Sequence, residues 1–265
     1  MPLNPRPLWR LPRGVTRGLW EYAHSDSVAY EYDEYFAHNR LFEFDEGVVV
    51  EELLRRRIGA DTVVADLGCG TGRALVTLAR HGYRGLAIDL SRKMLEVVRE
   101  KVVNDDLPIQ CIRANWVELD GIADDTVDGA ISLFSTLGMI RGRENRAAAL
   151  AHTRRILKPG GPFVLHVHSY WYNLYDPGGP WWVLRTLGRA VFKRDIEAGD
   201  KFFPYRGVPN MFLHVFRPSE LKRDLHRAGF RIARFVPLAP QRYRPLRAAW
   251  FFGTLRANGW IVVCE

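Results

Sequence analysis

The run Val63-Val64-Ala65-Asp66-Leu67-Gly68-Cys69-Gly70-Thr71-Gly72-Arg73 sets three glycines between a strand-like apolar stretch and a helix-like one. Glycine permits a tight turn and lets a ligand approach the backbone closely. A dinucleotide loop needs a third small residue where this chain has Arg73. Asp66, at the strand end, would repel a pyrophosphate and attract a ligand carrying an ammonium group. Asp89 follows Gly68 by 21 residues, the spacing of an acid that binds ribose hydroxyls. Alone, Asp89 could equally cap a helix beside Ser91. Together with the loop it points to a nucleoside ligand. His166 and His168 share one face of a later strand, because strand side chains alternate. His168 is nearer the strand end and is the candidate general base, with a structural, hydrogen-bonded histidine as the competing role. Two histidines at i, i+2 could also hold a metal, but the sequence offers no evident third ligand, so no metal site is expected.

The elements that must position these groups are legible as an alternation. Strand patterns fall at 63–67, 85–90, 109–114, 128–134 and 163–168. Helical patterns fall at 73–80, from a Ser91 cap to about 103, and at 144–157, closed by Lys158-Pro159-Gly160-Gly161. Strands alternating with helices at this spacing imply a parallel sheet. A helix opening at Pro218 and ending at Gly229, then strands at 231–237 and 260–264, complete the count. The expectation is an α/β fold with a seven-stranded, mostly parallel sheet. Residues 1–26 read as a basic flexible arm and 27–265 as the domain. Within it, 27–58 reads as a helical lid and 170–210, rich in Trp, Tyr, Pro and Gly, as a cap inserted after the fifth strand. The segment 238–258 is basic and aromatic and reads as a substrate-facing hairpin or an interface.

With 265 residues, 47% of them hydrophobic, the chain can bury a full core. No apolar run approaches a membrane span. Three cysteines without C-x-x-C spacing argue against a disulfide framework or zinc. The N-terminal prolines argue against a signal or transit helix, so a cytoplasmic location is expected. The net charge of +8 admits an acidic partner such as nucleic acid, or simply an arginine-rich surface.

The motifs closely resemble those of class I S-adenosylmethionine-dependent methyltransferases. Asp66-Leu67-Gly68-Cys69-Gly70-Thr71-Gly72 resembles that family's first motif, and Ile88-Asp89-Leu90-Ser91 with Met94-Leu95 its second. Asp128-Gly129-Ala130-Ile131-Ser132 and Arg155-Ile156-Leu157-Lys158-Pro159-Gly160-Gly161 resemble its fourth- and fifth-strand segments. The likeness runs from about 62 to 168. It implies S-adenosyl-L-methionine as cofactor, with Gly68, Cys69, Gly70 and Gly72 around the methionine end and Asp66 nearby. It also implies Asp89 on the ribose, Leu90 against the adenine, Met94 among the cofactor contacts, and Phe134 near the sulfonium. Asn115 and Trp116 stand where the family often has an acid on the adenine amino group. Asn115 departs from that pattern, although its side-chain oxygen can accept the same bond. Candidate acceptor contacts are Tyr32 and Tyr35 in the lid, Ser135 and Thr136 after the fourth strand, and Tyr170 and Trp171 in the cap. The lid and the aromatic cap favour a small-molecule acceptor. The alternatives are an RNA (tRNA) methyltransferase, supported by charge and the 242–250 segment, and a non-catalytic cofactor-binding module. Acceptor identity, the atom methylated and oligomeric state are outside what the sequence carries.

Overall fold

The computed structural model describes residues 10–37, 41–55, 59, 62–192 and 196–265. Residues 1–9 of the expected arm, and 38–40 and 56–58 of the expected lid, lie outside the described residues. The core is a seven-stranded sheet built from β1 (Val63–Leu67), β2 (Arg84–Asp89), β3 (Ile109–Arg113), β4 (Gly129–Ser132), β5 (Phe163–His168), β8 (Ile232–Pro237) and β9 (Gly259–Cys264). Its order is β3-β2-β1-β4-β5-β9-β8. The first five strands pair in parallel and β9 runs against both of its neighbours. The expected mostly parallel α/β sheet is therefore present.

Both faces of the sheet are covered, so the central strands read as unbroken apolar runs. Val64, Ala65 and Leu67 of β1 are fully buried, as are most residues of β5 and β9. One face packs on α5 (Arg73–Arg80) and α4 (Leu41–Arg55), through Leu75, Leu78, Val49 and Leu53. The other packs on α8 (Arg143–Ile156) and α10 (Pro218–Arg227), through Ala149, Leu150, Leu221 and Leu225. Between β2 and β3 lies α6 (Arg92–Asp105). Its cap is Ser91, whose Oγ accepts from Met94 N (3.2 Å) and donates to Ala23 O (2.5 Å). Such a cap contributes about 1 kcal/mol, and here the same hydroxyl also ties the N-terminal segment to the core.

The expected flexible arm is different in the structure. Residues 10–26 are laid across the core and include α1 (Arg17–Ala23), with α2 (Asp26–Tyr30) and α3 (Tyr32–Phe36) following. Arg141 N donates to Gly14 O (2.8 Å), and Asn115 Nδ2 donates to Arg13 O (3.0 Å). An added Cβ on Gly18 would collide with the Asn210 carbonyl, so α1 approaches the cap with backbone against backbone. Two short helices, α2 and α3, and the longer α4 make up the lid region.

The inserted cap holds a 3₁₀ turn (Trp171–Tyr175), α9 (Gly179–Phe192) and the hairpin β6 (Asp200–Tyr205)–β7 (Val208–His214). It therefore runs slightly beyond the expected boundary at 210. Beneath it, His214 sits between Asp200 (Nδ1, 2.9 Å) and Glu220 (Nε2, 3.1 Å). Among the described residues, Glu197, His214 and Glu220 form the one acid–histidine group close enough for a metal. Both imidazole nitrogens are already occupied, and Arg146 pairs with Glu197 at 2.7 Å. The group is an ion-pair network that fastens the cap to α8 and α10.

Candidate functional site

A cavity opens at the carboxyl ends of β1 and β2, where ligands bind in open α/β sheets. Counting its open mouth, it encloses about 1190 Å³. Gly68 N and Cys69 N both donate to Ile88 O (2.8 and 3.1 Å), which fixes the start of the loop. Gly68, Gly70 and Gly72 all have positive φ (84°, 54° and 73°), so side chains there would be strained. Their surroundings differ. An added Cβ on Gly68 would collide with Thr136, one on Gly72 would press on Val98, and one on Gly70 would meet open space. Gly70 is thus the glycine that leaves room for a ligand. Gly72 lies outside the cavity and starts α5, so its expected place in the binding surface is corrected to a packing role.

Asp66 and Asp89 both face this cavity. Asp89 is held from two sides, accepting from Gly70 N (2.9 Å) and Ser91 N (2.7 Å). Burial raises its pKa to about 6 against the lowering effect of those N–H groups. Asp66 has no such support. Burial, with Asp89 and Glu46 close by, lifts its pKa to about 8. No described residue donates a hydrogen bond to its carboxylate. A buried carboxyl among carboxylates, opening on a cavity, suits a ligand that brings a positive charge.

Leu90, Met94, Cys69 and Phe134 also line this cavity. Asn115 lines it, but its oxygen already accepts from Val117 N (3.3 Å) and its amide donates to Arg13 O and Glu118 Oε2. Trp116 reaches the cavity edge while its indole turns into the core. There it donates to Thr153 Oγ1 (2.9 Å) and meets Phe163 edge-on. Trp116 thus lines the cavity while its indole N–H and ring are committed to packing.

A second cavity, also about 1140 Å³ with its mouth, lies under the cap. It shares Tyr22, Phe134 and Met139 with the first. Phe134 is the partition. It and Ser135 take left-handed backbone angles (φ 53° and 63°), which non-glycine residues adopt at a cost. The surroundings hold them there. Ser135 N donates to His166 O (2.9 Å) and Ser135 Oγ accepts from His168 N (3.3 Å). Phe134 itself is gripped by Phe36, His168 and the Arg242 guanidinium at 5.6, 5.9 and 5.7 Å.

His168 lines the cap cavity. Burial, then the positive fields of His166, Arg242 and Lys201, hold its pKa well below the usual imidazole value. It is neutral at pH 7, and its Nδ1 has no hydrogen-bond partner. His166 is a buried structural histidine, with Nδ1 2.5 Å from Asp45 Oδ2.

Of the expected acceptor contacts, Tyr32 and Thr136 line the cofactor-side cavity rather than the cap cavity. Ser135 is fully buried and acts as the brace just described. Tyr170 is fully buried too, donating to Val183 O (2.9 Å) inside the cap, with Trp171 stacked edge-on against it. Neither lines the cofactor-side or the cap cavity. Tyr35 is 61% exposed and lines neither cavity. Residues missed by motif are Glu46, Tyr22, Met139, Lys201 and Arg242. The 238–258 segment splits in two: Arg242 turns inward to the cap cavity, while Trp250, Phe251 and Phe252 are exposed.

Residues 64–161 match the family model described as methyltransferase domain. That match, together with the methyltransferases among the relatives and structural neighbours, supports a class I S-adenosylmethionine-dependent methyltransferase. A domain of this kind supports S-adenosylmethionine as cofactor, and the open space at Gly70 together with the unsupported Asp66 fits it. A cypemycin N-terminal methyltransferase from a Streptomyces species is 34% identical over 98 residues, 37% of this chain and 38% of that protein. The CcbJ methyltransferase of Streptomyces caelestis is similar in fold (TM-score 0.65, 18% identity, 96% of this chain and 99% of that one). So is a methyltransferase from Methanosarcina mazei (TM-score 0.63, 19% identity, 80% and 95%). The chain spans about half the length of the curated relatives it matches.

Proposed function

We propose that the protein transfers the methyl group of S-adenosylmethionine to a small molecule held in the cap cavity. The observation that carries this is the shared wall: Tyr22, Phe134 and Met139 separate the cofactor-side cavity from a second one closed over by the cap. In this assignment Asp66 takes the ammonium of the cofactor, Asp89 the ribose hydroxyls, and Leu90 with Met94 the adenine. The bound cofactor supplies a methyl carbon already activated by its sulfonium.

The chain's own residues then have two tasks, alignment and proton removal. Phe134, fixed by its brace, sets where an acceptor atom can approach. His168, kept neutral by its surroundings, takes the proton that the acceptor's O–H or N–H gives up. Lid and cap exclude water. Thr71 Oγ1 donates to Asp33 Oδ1 (2.6 Å), and Lys101 pairs with Asp33 at 2.5 Å, which fastens α3 onto the glycine loop. No described helix is long and apolar enough to cross a membrane.

Incubation with methyl-labelled S-adenosylmethionine and a fractionated lysate tests the proposal. Label is expected in the low-mass fraction. Label in RNA alone, or binding without any transfer, would overturn it.

A further inference from the structure

A cation stands at the wall of the cap cavity with no described anion in hydrogen-bond or ion-pair contact. Arg242 lies in the loop between β8 and β9, held by a left-handed backbone (φ 63°) and by its N–H on Ala239 O (2.8 Å). Its guanidinium covers the Phe134 ring, and no described residue accepts a hydrogen bond from it or forms an ion pair with it. Asp45 acts on it only through space, with Oδ2 engaged by His166. The other cation of the cavity, Lys201, is already paired with Asp176 (3.0 Å) and donates to Asn173 Oδ1 (2.8 Å). Burial lowers the pKa of Arg242, yet a guanidinium remains charged at neutral pH.

A partly buried charge without a partner is costly unless a ligand supplies one. The guanidinium fork matches a carboxylate with two parallel hydrogen bonds. Around it the wall is flat and aromatic: Phe134, Tyr172, Phe203 and Tyr205. We infer that the methyl acceptor is a carboxylate-bearing molecule with a flat, largely apolar body, whose carboxylate Arg242 holds. This rests on the cap cavity being the acceptor site.

The test uses full-length protein loaded with S-adenosylhomocysteine. Benzoate, 2-naphthoate and indole-3-acetate are each compared with their primary amides by saturation-transfer NMR and calorimetry. At least one acid is expected to bind about tenfold more tightly than its amide, as a charge-assisted pair allows. Arg242→Gln should erase that preference and Arg242→Lys should retain part of it. Affinity for S-adenosylhomocysteine should stay within about twofold in both variants, which reports on folding and on the cofactor cavity separately. If no acid outbinds its amide, or the preference survives in Arg242→Gln, the inference fails. Failure of the wild type to bind S-adenosylhomocysteine would instead overturn the cofactor assignment.

Discussion

The ionisation of Asp66 couples cofactor binding to pH. With a pKa of about 8 in the empty site, Asp66 is mostly protonated at neutral pH. A ligand that places an ammonium against it needs the ionised form, so binding must expel a proton. From pH ~6.5 to ~7.5 the ionised fraction rises about eightfold. Over the same interval the cofactor's α-amino group, with an ordinary pKa near ~7.8, loses about a third of its charge. The net expectation is about a fivefold gain in affinity for S-adenosylhomocysteine over that pH unit. Calorimetry in two buffers of different ionisation enthalpy should show close to one proton released at the lower pH. Asp66→Asn should bind more weakly and lose both the rise and the proton release. It should also stabilise the unliganded protein. The folded pKa of Asp66 is raised above 3.8, so its contribution is fully present below that value and is lost as pH climbs towards 8. That is about 4 kcal/mol forgone at pH ~7, which asparagine recovers. A wild-type affinity that is flat from pH ~6.5 to ~7.5, with no proton released, would refute the reasoning.

Two glycines of one loop should separate binding from folding. Gly70→Ala should cost about 1 kcal/mol of stability, from its positive φ alone, and abolish cofactor binding. Gly68→Ala should destabilise by about 3 kcal/mol or more through its collision with Thr136, seen as a large fall in melting temperature. His168→Gln should lower kcat by about 10²-fold or more with binding of both ligands retained. The wild-type kcat at saturating cofactor should be flat from pH ~6.5 upward, because the imidazole is already neutral there. Acid stability should depend on Glu220. Its burial alone would raise its pKa, but hydrogen bonding to His214 and the nearby Arg146 and Arg217 bring it to about 2. The resulting stability is present above about pH 4.5 and lost as pH falls towards 2. Chemical denaturation should therefore show Glu220→Gln removing about 3 kcal/mol at pH ~6 and little at pH ~2.

What was legible in the sequence is what local patterns determine. β1, α5 and β5 fall on the expected residues because the glycine loop and the apolar runs bound them tightly. Asp66 and Asp89 were legible for the same reason, since both sit at strand ends next to a motif. What was not legible depends on contacts distant in sequence. Arg13 meets Asn115 across 102 positions, so nothing around residue 13 announces a packed segment. Glu46 reaches the cofactor cavity from α4, where Thr77 Oγ1 donates to it at 2.9 Å, and no motif surrounds it. Arg242 reads in the sequence as one of several basic residues in a segment that is either a substrate-facing hairpin or an interface. Its inward turn comes from one left-handed residue. Trp116, by its place in the motif pattern, and Tyr170, by its place past a strand end, read as ligand contacts in the sequence. Each instead satisfies its polar atom on a buried partner, Thr153 or Val183, and packs into the interior.

A crystal structure with S-adenosylhomocysteine bound tests the central claim most directly. The expected result has the amino group on Asp66, the ribose on Asp89, and the sulfur against Phe134, facing the cap cavity. Adenine or the amino-acid end directed into the cap cavity, or a ligand bound elsewhere, would contradict it.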